Sequence, residues 1–264
     1  MKYKIEKINN NASVCLVYVD EVNESLASLI DNHFLEIVKG KQNAEKVNNI
    51  KETHQDALKF ITSKIRKKDE RGIVGIIGEF LFHSFMRIEE NKKKFLSTFP
   101  TIGYSGTYQD FYKGFDGCYY ADGNIWIVEI KSKVRSMNIN IDNKNKLKEA
   151  SGDLEKLVRD TKINRWERAK SLVITQLSDK EIDDTEIYKK LSQDSSNNYN
   201  KLLGTMLMTK DGEFDLDFIK GYMNDLIDND VTQQQIFAIC VRNSDYVKIV
   251  SYLEGKFGEN DGAS

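Results

Sequence analysis

The chain predicts a mixed α/β fold built as one domain, and three observations carry that prediction. Two runs rich in aromatic and β-branched residues flank Asp122-Gly123, the strongest short-range signal for a two-residue β-hairpin. Glu21 to Val38 and Gly72 to Arg87 carry apolar residues at helical spacing. Leu202 to Met208 and Gln234 to Val241 are continuous apolar runs of strand length, the second suited to a sheet interior. At 264 residues and 40% hydrophobic, the chain can bury one sizeable core.

Taken in order, Tyr3–Ile8 and Ser13–Val19 read as strands joined through Asn9-Asn10-Asn11. The helix from Glu21 to Val38 closes at Gly40, and a second helix is expected from about Ala44 to Arg66. His33 and His54 fall on these helices as isolated residues. Gly72-Ile-Val-Gly-Ile-Ile-Gly-Glu79 opens a helix too apolar to be exposed, although each interior glycine costs about 1 kcal/mol against alanine. Gly72, Gly75 and Glu79 share a stripe, with Gly78 at its edge, that continues to Phe82, His83 and Met86. That stripe lets the helix approach a partner closely. If the partner is the face of the hairpin bearing Cys118, Ile125 and Ile127, Glu79 is carried toward the hairpin's acids.

Lys92-Lys93-Lys94 reads as a solvated loop and residues 95–111 as a turn-rich connection. Beyond the hairpin, Arg135 to Lys146 is expected to be a polar loop and Lys148 to Asp160 a helix. Residues 164–176 are a helix continuing or giving way to a strand, and Trp166 there suits packing better than base stacking. A short helix around Ile187–Leu191, helices at Asp215–Leu226 and Tyr246–Leu253, and a frayed tail at 259–264 complete the chain. The domain is expected to span 1–258, with a core at about 70–176, an N-terminal hairpin and helices at 1–69, and a C-terminal α/β part at 177–258.

The hairpin also fixes a register. With Asp122-Gly123 as the turn, Ala121 faces Asn124 and Asp116 faces Glu129. Opposed like charges destabilise a sheet; at about 4 Å and an effective dielectric near 20 the repulsion is about 4 kcal/mol. Period-two alternation puts Ile125, Ile127, Glu129 and Lys131 on one face and Trp126, Val128 and Ile130 on the other. A divalent cation held by two carboxylates, with an amine beside it, turns that repulsion into a binding site. Glu79, placed between Gly-Ile-Ile-Gly and Phe-Leu-Phe, is a third candidate, since an unpaired charge there is expensive to bury.

Charge is uneven. The whole chain is −2, yet residues 131–170 hold 12 basic against 6 acidic residues, and residues 171–264 hold 9 against 17. A basic block beginning at Lys131 suits a polyanion such as DNA or RNA, and a solvated helix face reads equally well. Cys15, Cys118 and Cys240 are too scattered for a disulfide framework or a cysteine zinc site. No apolar run approaches the roughly 20 residues of a membrane span, and the start has no signal-type core, so a cytoplasmic protein is expected. Phosphate-binding P-loops and Gly-x-Ser-x-Gly elbows are missing from the sequence.

The order helix Glu79, strand Asp116, then Glu129-Ile130-Lys131 resembles the PD-(D/E)xK nuclease superfamily, with Phe115 where its name has proline. More narrowly, Gly75-Ile-Ile-Gly-Glu79-Phe-Leu81, Gly114-Phe-Asp116-Gly and Trp126-Ile-Val-Glu129-Ile-Lys131-Ser resemble the HamA family, nuclease subunits of Hachiman antiphage defence that work with a HamB helicase. The likeness is strongest over residues 70–170. It implies a restriction-endonuclease-like αβββαβ core with added helices and C-terminal strands. It also implies metal-assisted phosphodiester hydrolysis of DNA with low sequence specificity. Asp116, Glu129 and the Ile130 carbonyl would hold Mg²⁺, for which Mn²⁺ can substitute; Glu79 would ligate directly or through water, and Lys131 would orient or deprotonate the attacking water. His83, Lys133 and Arg135 are candidate substrate-contacting or supporting residues. The implied partner is a superfamily 2-type, HamB-like helicase. A non-catalytic nucleic-acid-binding adaptor and an RNase effector are the alternatives.

Overall fold

The computed structural model describes residues 2–8, 12–39, 69–88, 96–97, 115–160, 165–167, 169, 184–192, 199–210, 212–223, 226, 234–242 and 245–257. The second helix expected at 44–66, His54, the lysines at 92–94, most of 95–111 and the C-terminal tail lie outside them.

Among the described residues, thirteen elements follow one another. Strands β1 (Lys2–Lys7) and β2 (Ala12–Val19) precede helix α1 (Glu24–Lys39). Helix α2 (Glu70–Phe85) leads to β3 (Leu96–Ser97), β4 (Gly117–Ala121) and β5 (Asn124–Lys133). Helices α3 (Ile139–Arg159) and α4 (Asp184–Ser192) follow, then β6 (Asn200–Thr209), α5 (Leu216–Met223), β7 (Gln234–Arg242) and α6 (Asp245–Phe257). All seven strands form one sheet in the order β1-β2-β7-β6-β5-β4-β3. Its centre, β2, β7, β6 and β5, is parallel, and both rims are antiparallel. The segment α2-β3-β4-β5-α3, continued after the short helix α4 by β6, has the expected αβββαβ order.

Local chemistry sets the boundaries. Asn23 accepts the Leu26 amide at 3.1 Å, so α1 starts three residues later than Glu21. Asp69 caps α2 through the Gly72 amide at 2.9 Å. At the hairpin, Asp122 and Gly123 take φ of 50° and 72°, the left-handed pair that a type I′ turn demands.

The expected polar loop at 135–146 is a correction: helix α3 begins at Ile139, with Asn138 accepting the Ile141 amide at 3.1 Å. Its first turns are rich in Asn and Asp, poor helix formers. Buried partners override that preference. Asn143 donates to the Tyr222 hydroxyl at 2.6 Å and accepts from Thr205, and all three are buried.

The sheet is covered on both faces. Helices α1 and α2 pack on Trp126, Val128, Ile130, Leu202 and Met206. Helix α3 packs on Ile125, Ile127, Cys118, Leu203 and Leu207. The expectation that α2 lies on the Ile125 and Ile127 face is therefore wrong: α2 takes the opposite face, and α3 takes that one. Of Gly75 and Gly78, the second makes the close approach. A Cβ on Gly78 would collide with Ser132 Oγ and meet Met206 Cβ at 3.1 Å, whereas Gly75 faces open space.

Candidate active site

The register places the acids as the hairpin arithmetic requires. Ala121 pairs with Asn124 and Gly117 with Val128, so the next position along β4 is Asp116 and along β5 is Glu129. There β4 ends, while β5 runs on to Lys133 paired with β6. Past Val128, no described strand pairs the outer edge of β5. Asp116 takes over: its Oδ2 accepts the Ile130 amide at 2.7 Å. Because the N–H and C=O of one strand residue point to the same edge, the Ile130 carbonyl faces that edge too.

This open edge explains how a helix on the far face joins acids on the near one. Glu79 projects from α2 and Glu129 lies on the α3 side, and the two are electrostatically coupled through the gap that β4 leaves. Burial, then Glu129, pushes the Glu79 carboxyl up to about 7. Burial, then Glu79, pushes Asp116 up to about 7, against the pull of the Ile130 amide, Lys131 and Arg165. Glu129 is 5% exposed. Burial, then Asp116, pushes it up to about 8. Three acids thus resist ionising together.

Lys131 Nζ donates to Glu129 Oε1 at 2.7 Å and pairs with Asp153 Oδ2 of α3 at 3.0 Å. Burial disfavours its charge, but Glu129 and Asp153 outweigh that and raise its pKa above the ordinary lysine value. These surroundings favour Lys131 as a cation that orients a water over Lys131 as the base that deprotonates it. Glu129 Oε2 is buried without a hydrogen-bond partner. Such an orphan acceptor beside two further carboxylates and an edge carbonyl is a set of hard oxygen donors, which suits Mg²⁺. Among the described residues, no three His, Cys, Asp or Glu side chains lie close enough together to hold a metal ion, and what links Glu79, Asp116 and Glu129 is their electrostatic coupling.

His83 is buried and supports Asp116 from behind. Its Nε2 faces the Asp116 carbonyl at 3.1 Å and its Nδ1 the Tyr119 hydroxyl at 2.6 Å. Burial, then the Arg87 cation, pushes its pKa well below the ordinary value. The neutral ring therefore donates from Nε2 to the carbonyl and accepts at Nδ1 from Tyr119. A Cβ on Gly117 would sit 2.8 Å from His83 Cε1, so only glycine lets the ring reach the chain there. Behind it, Arg87 Nη1 donates to the His83 carbonyl at 2.8 Å, and Arg87 Nε lies 3.1 Å from Glu36. His83 holds the backbone of an acid and does not face the cluster itself.

The remaining expected residues lie further along. Lys133 Nζ pairs with Asp142 at 2.6 Å, and Arg135, at φ 54°, reaches Glu70 at 3.1 Å. Neither touches the acids. Trp166 packs edge-on against Phe115 at 5.0 Å between ring centroids and lies near Tyr199, in keeping with packing. Sequence reasoning missed Asp153, Arg165 and the Glu36–Arg87–Tyr119 chain. Asp153 stands one residue before the apolar Leu154 on a charged helix, with nothing local to single it out.

A model of the HamA family matches residues 2–254 of the chain. Among characterised proteins, none matches it.

Proposed function

Because the chain belongs to the HamA family, we propose that it serves antiphage defence of the Hachiman type as a metal-dependent phosphodiester hydrolase cutting DNA with little sequence preference. The observation that carries this reading is the buried Glu129 carboxylate. One oxygen is held by Lys131 and the other is an orphan acceptor, at an open strand edge shared with Asp116 and Glu79. A purely binding surface has no use for three mutually repelling acids beside a lysine. The αβββαβ order, with the acids on its first helix, immediately before its second strand and on its third, supports the PD-(D/E)xK assignment.

Asp116 and Glu129 would hold Mg²⁺, with the Ile130 carbonyl and Glu79 as further oxygen donors; the bound ion would neutralise the scissile phosphate and acidify a water. The chain's own residues do the rest. Asp116 is fixed at its carboxylate by the Ile130 amide and at its carbonyl by His83. Lys131, kept charged by Glu129 and Asp153, screens the negative charge that grows on the phosphate during attack. Its raised pKa leaves the proton of the attacking water to be taken by a carboxylate or by solvent. With a net charge of −2, the chain has little general attraction for nucleic acid. Delivery of the strand by a HamB-like helicase partner is part of the same proposal.

The test incubates the chain, with and without the helicase, with plasmid and with RNA in Mg²⁺ or EDTA, alongside Lys131→Ala. Mg²⁺-dependent cutting of plasmid that Lys131→Ala abolishes is the expected result. Cutting of RNA alone would make it an RNase effector, and binding without cutting in every condition would make it an adaptor.

A further inference from the structure

Beyond Lys131, β5 runs into a cavity of about 380 Å³ between the first turns of α2 and α3. Ser132, Lys133 and Val134 form its wall at the end of β5, Arg71 and Val74 lie on the α2 side, and Asp142, Asn145 and Lys146 lie on the α3 side, so two valines share the lining with the charged groups. None of these residues belongs to the acid cluster.

The chemistry of the lining selects an anion. Its one carboxylate, Asp142, is fully occupied: Oδ1 accepts from Lys133 Nζ at 2.6 Å and Oδ2 from the Ser136 hydroxyl at 2.8 Å. Lys146 pairs with Glu149 at 2.5 Å, yet the three cations still outnumber the two acids. The lining residues of α2 and α3 come from the first eight residues of helices of 16 and 21 residues, the dipole-positive halves of both. Arg135, one of only two described non-glycine residues with positive φ, bridges the rim to Glu70 at 3.1 Å. A strained residue at a rim is the kind of outlier that accompanies a binding function.

Position selects which anion. Lys146 lies seven residues before Asp153 on α3, about 10 Å at 1.5 Å per residue. Lys133 lies four residues beyond Glu129, about 13 Å along the strand. At about 3.4 Å of rise per nucleotide, a stacked strand covers that distance in three or four nucleotides. We infer that this cavity is a backbone-phosphate subsite for a nucleic-acid strand whose scissile bond lies on the acid cluster, with Arg71, Lys133 and Lys146 as its cations. The inference rests on the nuclease reading for its direction along the strand. It supplies locally the positive charge that the whole chain lacks.

The test measures binding of a fluorescein-labelled 20-nucleotide single strand to the full chain by anisotropy in EDTA, from 50 to 200 mM salt. Arg71→Gln with Lys146→Gln is compared with Lys189→Gln with Lys220→Gln, which removes equal charge from α4 and α5. The cavity pair is expected to weaken binding at least tenfold and to flatten the salt dependence by about 1.4 in log–log slope, at roughly 0.7 per lost contact to a single strand. The control pair stays within twofold of the parent. Matching thermal melts establish that the variants are folded, and Arg71→Lys is expected to retain the slope. Equal binding by the cavity pair and the parent, an equal loss in the control, or displacement of the strand by micromolar mononucleotide overturns the subsite. Mg²⁺-dependent cutting of the same strand separates the two readings. Cavity-dependent binding with no cutting keeps the subsite and rejects the nuclease; cutting with KM unmoved by the cavity pair does the reverse.

Discussion

The two faces of β5 hold the same strand by different means. On the α2 face, Trp126, Val128 and Ile130 meet apolar side chains and two glycines, Gly78 and Gly204, where nothing larger fits. Its polar content is a largely buried chain that runs from Glu36 through Arg87, Tyr119 and His83 to the Asp116 carbonyl. On the α3 face, Glu129, Lys131 and Lys133 meet Asp153 and Asp142, and the fully buried Lys201 donates to Glu155 at 3.0 Å and to Ser151 at 3.3 Å. Shape fixes the first face and gives the acids a rigid backbone. Charge pairing fixes the second, and ion pairs can exchange partners when a phosphate or a cation arrives. The acid cluster sits where the two meet, at the strand edge that β4 leaves bare.

The largest expected effect breaks the shape-fixed face. A Cβ on Gly204 would lie 2.9 Å from Phe82 and 3.0 Å from Ile130. Gly204→Val should cost about 3 kcal/mol of stability, the upper part of the usual range for overpacking, measured by urea unfolding. A variant as stable as the parent would show that this face is loosely packed. On the charge-fixed face, Lys131→Ala should slow Mg²⁺-dependent cutting by at least about 100-fold, near 2.7 kcal/mol of barrier, while the fold persists. An unchanged rate would remove Lys131 from the mechanism.

Glu129→Gln sharpens the contrast by acting on stability in the opposite sense. Its folded pKa is raised to about 8, so ionisation of Glu129 costs stability as pH rises from its ordinary value near 4.5 through 8. In EDTA at pH 8 the variant should be more stable than the parent by about 2 kcal/mol, and the gain should vanish near pH 4. A loss of stability at pH 8 would mean that Glu129 is already well paired. Glu36 shows the reverse sign. Burial opposes its charge, but His33 and Arg87 hold its carboxyl at about 2. Its contribution is present above about 4.5 and is lost as pH falls toward 2. Glu36→Gln should cost about 1 kcal/mol at pH 7 and nothing near pH 2, followed by thermal melts across that range.

Much of this was legible in the chain because it depends on near neighbours. The Asp122-Gly123 turn dictates φ > 0 at two positions, and once it is set, each pair from Ala121–Asn124 to Gly117–Val128 follows by counting. The meeting of Asp116 with Glu129 is the arithmetic of one turn. What was not legible depends on groups distant in sequence. Helix α3 starts at Ile139 because Asn143 finds Thr205 and Tyr222, 62 and 79 residues away. The face taken by α2 is decided by Met206 and Ser132 fitting against Gly78, not by the glycine stripe alone. The sign of the Lys131 shift follows from Glu129 together with Asp153, and the local pattern does not mark the second.

The central claim is that Glu79, Asp116 and Glu129 form one cation site whose acids are partly protonated without the metal. Calorimetric titration of the full chain with Mg²⁺ at pH 7, in two buffers of different ionisation enthalpy, counts the protons released per ion bound. With carboxyls at about 7, 7 and 8, binding should release about one proton or more, and Glu129→Gln should abolish both the binding heat and the release. Binding with no proton release, or binding that survives Glu129→Gln unchanged, would contradict it.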